Sequence, residues 1–118
     1  MDREKMLEKI KNHQNSDRIG MIASHLGIVR GTSRDGRKVV AVDVKYDMAA
    51  LDNIMKQIKD MPGIVEAMLD VRSGLLNVGD EVMFLAVGGD IRENVFSALI
   101  KGVDMIKKDA VNKREVFE

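Results

Sequence analysis

The chain has 118 residues, enough for one domain with a core of its own. It has no cysteine, and its only histidines are His13 and His25, which excludes disulfides, thiolate metal sites, a cysteine nucleophile and a redox dithiol, and argues against a histidine-rich metal site. Nineteen basic residues balance nineteen acidic ones, so bulk attraction to nucleic acid or an anionic membrane is not expected and would need a local basic patch.

The opening Met1-Asp2-Arg3-Glu4-Lys5 is charged throughout and lacks the apolar core of a signal peptide. No apolar run approaches bilayer length, so the expectation is a soluble cytoplasmic domain. Asp2 to Asn12 is rich in helix formers, with Met6, Leu7 and Ile10 at helical spacing before Asn15, Ser16 and Asp17 break the pattern. This predicts a short, loosely packed helical arm over 1–17, with the main domain spanning 18–118.

Arg18 to Val29 is apolar and β-branched (Ile19, Ile22, Ile28, Val29) and reads as a strand bent at Gly27. The polar segment Arg30 to Lys38 carries the turn signal Asp35-Gly36, so it predicts a long hairpin loop returning through a strand over Val39 to Tyr46. Asp47 suits the cap of the next helix, where Leu51, Ile54, Met55 and Ile58 recur until Pro62-Gly63 stops it. Val65, Ala67, Leu69 and Val71 then alternate with polar and larger residues, as in a strand ended by Gly74. Asn77-Val78-Gly79-Asp80 is a turn before a fourth strand, Glu81 to Val87. Asp90 and Glu93 have capping-box spacing at the start of a last helix, whose face is Ile91, Val95, Leu99, Gly102 and Ile106 with Val103 beside it. The order α-ββα-ββα, with antiparallel strands and helices on one face, predicts an α+β sandwich.

Four cations stand out against this frame. At about 100° per residue, Arg92 falls inside the apolar arc of the last helix, where an unpaired guanidinium would be costly. It therefore either pairs with a structural carboxylate or carbonyl, or reaches past the sheet to an anion favoured by the helix N-terminus. Lys107 lies at the edge of the same arc near the other end, and Lys113 follows in the tail; both can be solvated charges or acid–base groups at an apolar rim. Arg30 opens a basic loop with Arg34, Arg37 and Lys38 against Asp35, which is either a solvated turn or an anion clamp. Gly88-Gly89 lacks the glycine spacing and lysine of a phosphate-binding fingerprint. His25, in an apolar strand, reads as a packed or hydrogen-bonded histidine rather than a ligand.

The order of these motifs resembles the large, catalytic subunit of molybdopterin synthase from about Gly20 to Glu115. Gly27-Ile28-Val29-Arg30 is similar to that family's Gly-x-Val-Arg motif, and Val78-Gly79-Asp80-Glu81 to its Pro-Gly-Asp-Glu segment. Val71-Arg72-Ser73-Gly74 stands where the family has His-Arg-Ile-Gly, and Asp90-Ile91-Arg92 resembles the His-Arg motif opening its last helix. Asp104-Met105-Ile106-Lys107 and Lys113-Arg114-Glu115 resemble the segments bearing its two active-site lysines. Ile91 and Val71 replace the two histidines, and His25 stands where the family often has phenylalanine. The resemblance implies a hammerhead-like α/β fold and a sulfurtransferase. Sulfur would come from the thiocarboxylate of a small ubiquitin-like partner with a C-terminal Gly-Gly, and go to cyclic pyranopterin monophosphate. It implies Lys107 and Lys113 as catalytic residues, Arg30 and Arg92 as substrate binders, no cofactor or metal, and a homodimer within a heterotetramer. The alternative is a non-catalytic relative serving as a partner-binding or homodimeric scaffold.

Overall fold

In the computed structural model, which describes residues 2–118, the elements are α1 (Arg3–Lys11), a 3-10 turn (Ser16–Arg18), β1 (Met21–Ile28), β2 (Val39–Tyr46) and α2 (Met48–Lys59). There follow β3 (Ile64–Val71), β4 (Gly74–Asn77), β5 (Glu81–Gly89), α3 (Arg92–Met105), a π turn (Ile106–Ala110) and β6 (Val111–Phe117). The strands form two antiparallel sheets, ordered β1-β5-β3 and β4-β2-β6. The class is α+β, and the expected element order is met with two further strands, β4 and β6. These two were missed for local reasons: β4 is four residues long and lies just before a turn, and β6 is mostly charged and exposed.

The middle strand of the first sheet, β5, organises the core. Val82 to Gly89 is buried without interruption, because both faces of β5 are covered. Met83, Leu85 and Val87 face α2 and α3, packing with Leu51, Ile54, Ile58, Val95 and Ala98. Phe84 and Ala86 face the other way, onto Met6 and Ile10 of α1. Helices therefore cover both faces of this sheet, not one. The arm is not loosely packed: Ile10 is fully buried, and Gly88 leaves the room it needs, since a Cβ there would come 2.6 Å from Ile10 Cγ2. Gly102 does the same between α3 and α2, where a Cβ would meet Ile58 Cδ1 at 2.7 Å.

The expected hairpin between the first two strands does not form. β1 pairs with β5, whereas β2 pairs with β4 and β6. The loop between them is a crossing from one sheet to the other. The bend at Gly27 is present as a register shift between Gly27 and Ile28, the point where β1 leaves β5. Asp47 caps α2 by accepting from the Ala50 N–H at 3.1 Å. Ile91 rather than Asp90 is the N-cap of α3; Asp90 instead accepts from the Ile91 N–H at 2.6 Å and from Asn94 Nδ2 at 2.9 Å. No helix among the described residues is long and apolar enough to cross a membrane.

Candidate functional site

Where the two sheets meet, the chain leaves a cavity of about 260 Å³. β1 contributes His25 through Ile28 to its wall, β5 contributes Val82 and Met83, and Tyr46 closes it from the end of β2. The Tyr46 hydroxyl donates to the Val82 carbonyl at 3.2 Å and so ties the second sheet to the first. Burial pushes the Tyr46 pKa up to about 12, which keeps the phenol protonated in that bond.

Lys107 and Lys113 both enter this cavity. The local cause is the π turn at the end of α3. The Val111 N–H donates to the Ile106 carbonyl, and the chain passes at once into β6. β6 then pairs with β2, which sets Val111 opposite Tyr46 and Lys113 opposite Val44. The two lysines thus approach one point from a helix end and a strand start. Although Lys113 is exposed as a whole, partial desolvation lowers its pKa below 10.5, the neighbouring Lys107 charge adds to that, and Glu115 opposes it. His25 is lowered below 6.5, first by burial and then by Lys107 and Lys113.

A wider groove of about 750 Å³ shares Ile28, Lys107, Val111 and Lys113 with the cavity as common wall. Its other wall is the crossing loop, including Arg30, Thr32, Ser33, Arg34 and Asp35, and Glu115 and Phe117 complete it. The loop is ordered by its own contacts. Ser33, nearly fully buried, donates its hydroxyl to the Asp35 carboxylate and accepts from the Arg37 N–H at 3.0 Å. The Ser33 hydrogen bond is the main reason the Asp35 carboxyl lies below its ordinary pKa. The Arg37 guanidinium sits 3.6 Å over the Phe117 ring, and Lys38 pairs with Glu118 at 3.1 Å. Arg30 donates from Nε to the Thr32 carbonyl at 2.7 Å. The basic loop therefore divides in function: Arg37 and Lys38 fasten it to β6, and Arg30 and Arg34 wall the groove.

Three of the four singled-out cations, Arg30, Lys107 and Lys113, thus share one continuous site. Arg92 does not. Its side chain is 79% exposed and lies 3.5 Å from Glu93. The helical arc places it correctly in angle, but packing begins one turn later: Ile91 is also exposed, and Val95 is the first buried residue of α3. His25 and Tyr46 are site residues that periodicity did not reveal. A histidine two positions from a glycine in an otherwise apolar strand was the available signal for His25. Among the described residues no cluster of histidine and carboxylate side chains is arranged to hold a metal ion.

Fold and groove together define a two-sheet α+β protein with a cation-walled cleft at the sheet junction. The model of the MoaE protein family matches residues 1–109, and the chain belongs to that family, the large subunit of molybdopterin synthase, with a role in molybdopterin synthesis. The match begins at residue 1, so it includes the α1 arm. The fold is similar to that of a molybdopterin synthase structure from Staphylococcus aureus, at 22% identity and TM-score 0.82 over 100% of this chain and 86% of that one. It is also similar to molybdopterin cofactor biosynthesis protein E from Burkholderia multivorans, at 24% identity and TM-score 0.76 over 99% and 84%. A third similar structure is a complex of subunits 1 and 2 of molybdopterin-converting factor from Helicobacter pylori, at 16% identity and TM-score 0.71 over 100% and 80%. No curated protein matches the sequence.

Proposed function

We propose that this chain is the catalytic subunit of a molybdopterin synthase, a sulfurtransferase that moves sulfur from a thiocarboxylated partner protein to cyclic pyranopterin monophosphate. The observation that carries the reading is the convergence of Lys107 and Lys113 in a cavity that continues into the Arg30-walled groove. The chain has no thiol of its own, so transferred sulfur must arrive from outside. A thiocarboxylate at the end of a Gly-Gly tail suits a cavity of about 260 Å³, because two residues without side chains need little room. The Helicobacter pylori complex of two subunits supports a small partner subunit of this kind.

In this reading Lys107 is the leading proton-transfer residue and Lys113 faces the inserted tail. Two ammonium groups beside one point stabilise the negative charge that develops as sulfur bonds change. Arg30 binds the substrate phosphate, for which a planar guanidinium is well shaped. Arg92 stands outside the groove of its own chain, so its proposed contact with substrate comes from the second copy in the homodimer. The exposed apolar residues Phe96 and Ile100 on α3 support such a pairing of copies. With the partner bound to each copy, the assembly is a heterotetramer, and its compartment is the cytoplasm.

The test is reconstitution with a thiocarboxylated partner and the pterin precursor. Dithiolene product should form, and Lys107→Ala should slow it by about 10²- to 10⁴-fold, the usual weight of a proton-transfer group. Equal product formation by Lys107→Ala overturns the catalytic assignment, and partner binding without turnover in the wild-type chain overturns the enzyme reading.

A further inference from the structure

His25 lines the cavity with Lys107 and Lys113, yet the roles above leave it unused. It is only half-buried, on β1 opposite Leu85 of β5. A histidine held for structural reasons normally spends a ring nitrogen on the protein. His13 does so: its Nδ1 accepts from the Asn15 N–H at 3.0 Å, and its Nε2 lies 3.8 Å from the Glu66 carboxylate. His25 makes no hydrogen bond and no ion pair with any described residue. Its ring lies beside Gly27, where a Cβ would come 3.6 Å from Nε2, and the residue lines the cavity without a protein partner for its imidazole.

While they are charged, the other polar groups on this wall serve as proton donors rather than acceptors. Lysine ammonium groups donate and do not accept. The Tyr46 hydroxyl already donates to Val82 and stays protonated. The groups facing His25 are Lys107 from the π turn, Lys113 from β6 and Tyr46 from β2, while β5 presents only Val82 and Met83. Burial and the two lysine charges hold the imidazole neutral at neutral pH, the form that accepts a proton.

We propose that His25 is the general base of the cavity, taking the proton from the water that releases the acyl group of the sulfur donor. The proposal rests on the sulfur-transfer reading. Once sulfur joins the pterin, it bridges the pterin carbon and the donor's terminal acyl carbon as a thioester. The water oxygen bonds to that acyl carbon while its proton passes to His25. The acyl carbon–sulfur bond then breaks with its electron pair on sulfur. The products are the donor's carboxylic acid, the pterin thiolate and imidazolium at His25. The acid and the imidazolium return their protons to solvent or to the thiolate, and nothing is oxidised or reduced. Lys107 and Lys113 face the oxyanion and the thiolate as these charges appear.

The experiment measures single-turnover product formation against pH in the wild-type chain, His25→Asn and His25→Phe, with thiocarboxylated partner and pterin precursor. In parallel, the His25 ring is titrated by NMR in the wild-type chain, Lys107→Gln and Lys113→Gln. The wild-type rate should fall at acid pH through a group titrating below 6.5. Both histidine variants should lose about 10²- to 10⁴-fold in rate, lose that acid limb, keep partner affinity, and accumulate the thioester-linked intermediate. Each lysine variant should raise the ring's titration midpoint. Turnover by the wild-type chain with an unchanged rate and acid limb in His25→Asn overturns this step alone. An ordinary midpoint that neither lysine variant moves also overturns it. A wild-type chain that makes no product overturns the sulfur-transfer reading, and this step with it.

Discussion

Both ends of α3 carry a cation that the sequence marks as a candidate, and only one of them is part of a groove. At the start, Arg92 lies in the first turn of a helix N-terminus, the usual setting for anion binding. Yet Ile91 and Arg92 are exposed there, and Glu93 lies beside the guanidinium. At the other end the α-helix loosens into a π turn and runs straight into β6, which pairs with β2 across the sheet junction. That continuation returns the chain to the helix end and brings Lys113 to Lys107. A helix dipole supplies a favourable potential, but a site also needs a second wall, and only the C-terminal end has one.

Three substitutions break or sharpen this contrast. Lys113→Met at the walled end should lower turnover by about 100-fold, because it removes one of the two cations at the reacting point. The same substitution should raise Tm at neutral pH. The folded-state pKa of Lys113 is depressed, so its charged form is disfavoured in the native protein, and that penalty is fully present below the folded pKa. The penalty fades as pH rises through 10.5, so the Tm advantage of the variant should shrink there, as scanning calorimetry across pH would show. A Tm below wild type at neutral pH would mean that Lys113 is stabilising where it stands.

At the exposed start of α3, Arg92→Ala should lower turnover by about tenfold, the weight of a charge-assisted contact, with Tm nearly unchanged. Mixing Arg92→Ala chains with Lys107→Ala chains should raise activity above that of either variant alone, because one mixed site then holds both side chains. If mixing restores nothing, Arg92 does not act across the dimer. The smallest effect is expected at the fastening of the loop. Phe117→Ala removes the ring beneath Arg37 and should cost about 1 kcal/mol, read as a few-fold rise in the KM for the pterin substrate with kcat retained. A fall in kcat with KM unchanged would place Phe117 in the chemistry rather than in holding the arginine loop.

Much of the fold was legible in the residues themselves. The helical spacing of Leu51, Ile54 and Ile58, the alternation from Val65 to Val71 and the Asp47 cap are all local signals, and the helix, strand and cap that they predict form. The run from Glu81 to Val87 marked a strand, although only its cover by α1 on one face and by α2 and α3 on the other explains why it does not alternate. β6 was invisible because an exposed edge strand of Asn112, Lys113, Arg114 and Glu115 carries no apolar rhythm. The expected hairpin after β1 failed because a turn signal shows where a chain bends, not which strand it pairs with afterwards.

Composition and pattern alone determined the α+β class, the absence of any internal sulfur donor, and the short set of cations from which a site could be drawn. Tertiary structure decided which of them meet. Arg30, Lys107 and Lys113 converge because β2 and β6 pair in one register and the crossing loop is pinned to Phe117 and Glu118. His25 joins them because β1 ends at the same junction. Local periodicity records how each segment is buried. The meeting of side chains far apart in sequence depends on strand register and sheet partnership, which no single segment encodes.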